Sequence, residues 1–287
     1  MITAWRLDPL PDFLLDHTLA EREAPARLRE VVSRWVQLVG ALWRWRDAAT
    51  FAIRYNSDGV QTSVWFLATA HNTTNDHGLC EDVGVLLRSH GIPGARAEDP
   101  QLLTRPDGPL SLGRGSALAE VRQFETDRLW EVPLAATKHA DFAGFFATLP
   151  ERDRARCRLP FCWWAPGGPF LLPMEKLVSL GGPASITAYL EPTELRPAEQ
   201  AYLTTMARVA QSFGDQQRQT MDQAAGTRRV DPAATLAGRI LMANLRRLSD
   251  KPFLVTVHCA TPASPDAARG LAGSIEAIVY EDRKSVV

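Results

Sequence analysis

Lysine is scarce in this chain. Only Lys138, Lys176, Lys251 and Lys284 occur among 287 residues, and the rest of the basic set is arginine. A phosphate-cradling P-loop ends in Gly-Lys-Ser/Thr, because backbone amides and the lysine together hold the phosphates. None of the four lysines follows a glycine, and the Gly-rich stretch Gly113-Arg114-Gly115-Ser116 contains no lysine. Nucleotide hydrolysis through a P-loop is therefore excluded for this sequence. Cysteine is equally sparse: Cys80, Cys157, Cys162 and Cys259 are scattered, unlike the dense framework of a small secreted scaffold. No apolar run approaches the roughly 20 residues that cross a bilayer. The nearest, residues 31–45, is broken by Arg34 and Arg44. The start, MITAWRLDPLPDFLLDH, has acids and prolines in every apolar run, which is not a signal peptide. Excess charge of one sign is also missing: 32 Lys and Arg against 33 Asp and Glu leave a net charge of −1. A basic nucleic-acid coat and an acidic tail are both disfavoured, although local patches stay open. No Gly-x-Ser-x-Gly nucleophile elbow occurs. The expectation is a soluble, reduced, cytoplasmic protein that needs no cofactor.

What is present suits a folded α/β protein. Hydrophobic residues make up 45% and charged residues 23%, an ordinary globular balance. A chain of this length buries roughly 70–75% of its unfolded surface. Leu28, Val32, Trp35, Val39 and Leu42 recur at helical spacing, so a helix is expected over 25–46. Strands are expected over 50–55 and 61–69, joined through the turn-forming Asn56-Ser57-Asp58-Gly59. A helix over 76–89 stops before Gly91 and Pro93. Residues 93–116 carry no period and read as a linker or long functional loop. Two lobes follow from this: 1–92 and 117–287, separated by 93–116, each a mostly antiparallel sheet covered by helices.

In the second lobe, strands are expected over 118–124, 130–134, 156–164 and 185–191, with short helices over 141–149 and 172–180. A long helix begins at Pro197 and runs toward residue 224. Another begins at the Asp231-Pro232 cap and reaches residue 248. A strand over 253–259 and a helix starting at Ser264-Pro265-Asp266 close the chain. Residues 64–87 and 254–278 share one order: strand, Ala-Thr, polar loop, Asp, helix. That order suggests a weak internal duplication.

The residues able to carry chemistry are few. His71, His77 and Cys80 fall within ten residues of one another and could serve a small metal-dependent hydrolase. Their spacing matches no structural zinc pattern, and a polar strand-to-helix loop is the plainer reading. Cys162 sits in Pro160-Phe161-Cys162-Trp163-Trp164, an apolar setting that raises a thiol pKa and leaves it inert, and His139 could pair with it only through a tertiary contact. Glu191 and Glu194 could hold a cation or simply precede the long helix as solvated caps. Arg239 and Arg246 lie seven apart on one helix face, with Arg228 and Arg229 just upstream. Guanidinium forks suit carboxylates and phosphates alike, so these four are candidates for partner or nucleic-acid contact. Trp43 and Trp45 are further partner candidates, because exposed aromatics are common at interfaces.

The tract 120–281 resembles a known arrangement. It runs from Glu120-Val121-Arg122-Gln123 through Arg158-Leu159-Pro160-Phe161 to Leu190-Glu191-Pro192-Thr193-Glu194-Leu195. A Pro-x-Glu helix, a second helix, Pro252-Phe253-Leu254-Val255-Thr256-Val257 and a closing helix follow. The whole is similar to the region preceding the motor domain in HerA/FtsK-like ATPases and the related conjugation and type IV secretion ATPases. The resemblance implies an α/β segment that docks partner subunits and shapes an oligomer, while a RecA-type motor elsewhere hydrolyses ATP. It implies no catalytic residue here. The expected function is a non-catalytic docking and assembly domain for a DNA-translocating or secretion-type ATPase, in bacterial conjugation or phage defence. The first helix and the linker are expected to face the partner, which is a motor domain or subunit. A homo-oligomer is expected within the assembly. The alternatives are the metal-dependent hydrolase and a direct nucleic-acid-binding module.

Overall fold

The structure, a computed structural model, describes residues 2–7, 24–60, 62–72, 76–92, 94–96, 116–121, 129–159, 177, 180, 182–214 and 231–279. It is an α/β protein whose main sheet has seven strands, all paired antiparallel. The chain divides into two compact units. The first comprises Met1–Arg122, Trp164–Thr193 and Phe253–Val287; the second comprises Gln123–Trp163 and Glu194–Pro252. Of the expected linker, residues 94–96 form a strand and 97–115 lie outside the described residues. Strands from both sides of that stretch belong to the one sheet.

The first unit contains β1 (Ile2–Leu7), α1 (Ala24–Leu42), β2 (Ala49–Asp58), β3 (Thr62–Ala70), α2 (Asp76–Ser89), β4 (Gly94–Arg96), β5 (Ala117–Val121), β8 (Pro183–Pro192), β9 (Phe253–Thr261) and α8 (Pro265–Val279). Their order across the sheet is β4-β1-β3-β2-β8-β9-β5. The expected hairpin between β2 and β3 is present, with β2 carried on through Asp58. Gly59 turns the chain at φ +96°, and a Cβ there would lie 3.2 Å from the Gly182 Cα. Both facts require glycine. Asp58 Oδ1 accepts from the Val60 amide at 2.8 Å, which fixes the turn.

Alternation along each strand sorts side chains onto two faces. On one face Trp5, Phe51 and Phe66 meet Trp35, Leu38 and Leu42 of α1 and Leu79, Val83 and Leu87 of α2. Helix α8 packs on β5 and β9 with Ala268, Leu271 and Ile275 buried. The other face carries a smaller cluster of Ala4, Ala52, Trp65 and Leu67 and a polar row described below. Strand β1 was not expected, since ITAWRL is too short to show a period before prolines intervene. It is nonetheless an internal strand, with Trp5 and Leu7 buried.

Outward from the central β2–β8 pair the sheet repeats an order: β2, β3, β1 on one side and β8, β9, β5 on the other. β3 and β9 each lead into a helix. The matching Ala-Thr strings do not occupy equivalent places, however. Ala68 pairs with Phe51 on the helix-covered face, whereas Ala260 pairs with Ser185 on the opposite one.

The second unit contains β6 (Leu129–Glu131), α3 (Leu134–Thr137), α4 (Ala140–Thr148), α5 (Glu151–Arg154), β7 (Arg156–Arg158), α6 (Pro197–Gly214) and α7 (Pro232–Leu248). It is mainly helical, with β6 and β7 forming a two-stranded ribbon. Trp130, Phe142 and Phe146 pack with Leu203, Met206 and Val209 of α6 and Ala237 and Leu241 of α7. Asp231 caps α7 as its sequence foretells, accepting from the Ala233 amide at 2.9 Å. The described part of the long helix from Pro197 ends at Gly214, and residues 215–230 lie outside the described residues. No helix among the described residues is long and apolar enough to cross a membrane.

Candidate functional site

The arginines chosen from the sequence lead to a groove on the second unit. Helices α6 and α7 run side by side because small residues line their contact. Ala210 of α6 is fully buried, and a Cβ on Gly238 of α7 would sit 3.6 Å from the Ala210 Cβ. Nearer the α6 C-terminus the approach is closer: a Cβ on Gly214 would lie 2.8 Å from Thr235 Oγ1 and 2.9 Å from its Cα and N. Thr235 Oγ1 donates toward the carbonyls of Gly214 at 3.2 Å and Asp231 at 3.3 Å, tying the two helices together there.

Along α7, Thr235, Arg239, Met242 and Arg246 follow the i, i+4, i+7, i+11 stripe of one helix face. With Gln211 and Gly214 of α6 they wall a cavity of about 530 Å³ whose floor is Ala234 and Gly238. The short floor residues create the depth. Arg239 and Arg246 are exposed and make no ion pair among the described residues. A rise of 1.5 Å per residue separates their Cα atoms by about 10.5 Å along the helix. The described lining holds no carboxylate. The groove therefore offers two guanidiniums with the thioether of Met242 between them. Arg228 and Arg229 lie outside the described residues.

The other candidates fall in different places. His71 ends β3, where its Nδ1 faces the Asp47 carbonyl at 3.1 Å and its Nε2 meets Thr50 Oγ1 at 2.9 Å. A carbonyl only accepts, so Nδ1 carries the proton and, in the neutral ring, Nε2 accepts from the Thr50 hydroxyl. Both nitrogens are thus engaged in holding the strand end. Cys80 is buried, with its sulfur 2.6 Å from Thr3 Oγ1 of β1. The side chain of His77 lies outside the described residues. Among the described residues no group of three His, Cys, Asp or Glu could hold a metal ion. Glu191 and Glu194 are both exposed. His139 caps α4, accepting from the Asp141 amide at 3.3 Å, and Cys162 lies outside the described residues.

Trp43 and Trp45 belong to a 3-10 turn, Trp43–Trp45, that ends the first helix. Trp43 is half-buried; its Nε1 donates to the Thr193 carbonyl at 3.1 Å, and the Arg46 guanidinium lies 4.6 Å from its ring centre. Trp45 packs against the α1–α2 core, with its Nε1 buried and meeting no acceptor among the described residues. Both rings anchor the turn into the first unit.

One constellation escaped the sequence. On the second face of the sheet, register places Arg54, Thr187, His258 and Glu120 in a single row across β2, β8, β9 and β5. Arg54 Nε donates to Thr187 Oγ1 at 2.8 Å. Burial lowers the Arg54 pKa, and neighbouring Tyr189 partly offsets this. The Tyr189 ring meets the His258 ring edge-on at 5.2 Å. These residues are far apart in sequence, and only strand register aligns them. The row stabilises a polar sheet face.

Comparison with known proteins adds no identity. No protein-family model matches this chain, and no curated protein matches it in sequence.

Proposed function

We propose that the chain is a docking and assembly module, non-catalytic in itself, that serves a motor ATPase of the HerA/FtsK-like or conjugation and type IV secretion kind. It works in the bacterial cytoplasm and within an oligomer, in DNA translocation, secretion or phage defence. One observation carries the docking reading. Strands β8 and β9 are adjacent and antiparallel, with Pro192 opposite Phe253, so a short turn would suffice to join them. Instead the chain leaves the sheet between them and supplies α6 and α7, which share a core with residues 130–159 of the second unit. That excursion bears the arginine-flanked groove. A helical insertion that is not needed to close the sheet, and whose guanidiniums beside a cavity make no ion pair among the described residues, suits recognition of another molecule.

The motor as partner rests on the element order of residues 120–281. Co-expression of the full chain with a HerA/FtsK-like ATPase from the same host, followed by size-exclusion chromatography with light scattering, tests this. A stable complex is expected. A chain that elutes as a lone monomer and leaves the ATPase unbound would overturn the reading. The same arginines permit nucleic-acid contact, which predicts steeply salt-dependent binding to duplex DNA.

A further inference from the structure

We infer that the α6–α7 groove receives an acidic amphipathic helix from the partner, with carboxylates two turns apart meeting Arg239 and Arg246. The inference rests on the docking reading and specifies the chemistry of its partner. Three features carry it. First, two guanidiniums that make no ion pair among the described residues lie on one stripe of α7, seven residues apart. Acidic residues at i and i+7 of a second helix share the same rise of about 10.5 Å, and two helices crossing at about 20° keep such positions in register. Second, the space between the cations is lined by Met242 and floored by Gly238 and Ala234. An apolar side chain at i+3 or i+4 of the incoming helix would fill it, and methionine adapts well to such a guest. Third, the described lining contains cations and no carboxylate, so charge complementarity selects an acidic ligand.

A nucleic-acid backbone is the poorer match. Backbone binding gains affinity by neutralising many phosphates in sequence. This groove sets two cations around an apolar centre, in a chain of net charge −1. Besides the two arginines the polar groups of its described lining are Gln211 and Thr235, and the Thr235 hydroxyl is already held by two carbonyls. Two charge-assisted bidentate contacts around one buried apolar residue suit carboxylates on a helix.

The test uses the full chain and a synthetic, fluorescently labelled helical peptide with Glu at i and i+7 and Leu at i+3 and i+4. Fluorescence anisotropy is expected to show binding that R239E/R246E weakens by at least about tenfold. A peptide with Lys at the same two positions is expected to bind R239E/R246E in preference to the unaltered chain. That charge swap shows the variant is folded. Equal affinity for the Glu and Lys peptides, or no effect of R239E/R246E, overturns the inference. So does displacement of the peptide by a duplex oligonucleotide at lower concentration. If a HerA/FtsK-like ATPase from the same host still co-purifies with R239E/R246E while the peptide fails, docking stands and the acidic-helix occupant is wrong. If the peptide behaves as expected and no ATPase binds, the groove chemistry stands and the motor partner is wrong.

Discussion

Replacing Gly214 with alanine sets two effects of opposite sign against each other. Gly214 is the last described residue of α6, and alanine is the better helix former by up to about 1 kcal/mol in a helix interior. Against it stands the new methyl group, 2.8 Å from Thr235 Oγ1 and 2.9 Å from the Thr235 Cα and N. Ordinary carbon contacts lie near 3.5–4.0 Å, so relief needs a separation of roughly half an ångström or more. Two of the three contacts are backbone atoms and cannot rotate away. The third is a hydroxyl already held by the carbonyls of Gly214 and Asp231. Overpacking of this kind costs about 1–3 kcal/mol, so the clash wins. The expected loss is about 1–2 kcal/mol, roughly a tenfold rise in local opening. Hydrogen exchange at the α6 and α7 amides measures it, with the β2 and β3 amides as internal reference. Gly238→Ala is the matched control: its methyl would stand 3.6 Å from the nearest atoms, an ordinary contact. It should gain about 0.5–1 kcal/mol of helix propensity and slow exchange. Exchange in Gly214→Ala as slow as in the unaltered chain would refute the packing argument.

Other outcomes follow from buried groups. Phe146→Ala removes a fully buried ring from the second unit's core and should cost about 3–5 kcal/mol, seen as early loss of α6–α7 protection in urea. Thr187→Val removes the acceptor of the Arg54 Nε bond. It should lower stability by about 1.5–3 kcal/mol, measured by thermal denaturation, and an unchanged melting temperature would contradict the role given to that bond. Burial pushes the Cys259 thiol up to about 12 and raises the Tyr55 hydroxyl as well. These groups stay neutral in the folded protein after the unfolded chain begins to ionise. Stability should therefore be flat below the ordinary thiol range and fall as pH rises from about 9 toward 12, by at most 1.36 kcal/mol per pH unit for each group. Cys259→Ala should flatten that slope in melting curves taken across the alkaline range.

Local signals made the helices and the main hairpin legible. The Asp231-Pro232 cap and the spacing of Leu28, Val32, Trp35, Val39 and Leu42 each state their own structure within a few residues. The polar string before Gly59 signals the hairpin, but the turn lies later, since Asn56, Ser57 and Asp58 belong to β2. Elements that depend on distant pairing were not legible. ITAWRL becomes a buried strand only because β3 and β4 flank it. The row from Arg54 to Glu120 exists only through register. Arg239 and Arg246 could be placed on one helix face from spacing alone. The groove beside them could not, since it depends on how closely Gly214 and Gly238 let α6 approach α7. The Ala-Thr strings share a sequence, but with side chains alternating at a period of two their matching residues, Ala68 and Ala260, lie on opposite faces of the sheet.

The most direct test of docking is capture of the motor by the chain itself. The full chain and its R239E/R246E variant are each co-expressed with a HerA/FtsK-like ATPase from the same host and purified, and ATP hydrolysis and mass are measured in the retained complex. The unaltered chain is expected to retain a RecA-type ATPase in a defined oligomer, and the variant to retain it at least about tenfold less. A monomeric chain that retains no ATPase in either form would contradict the account.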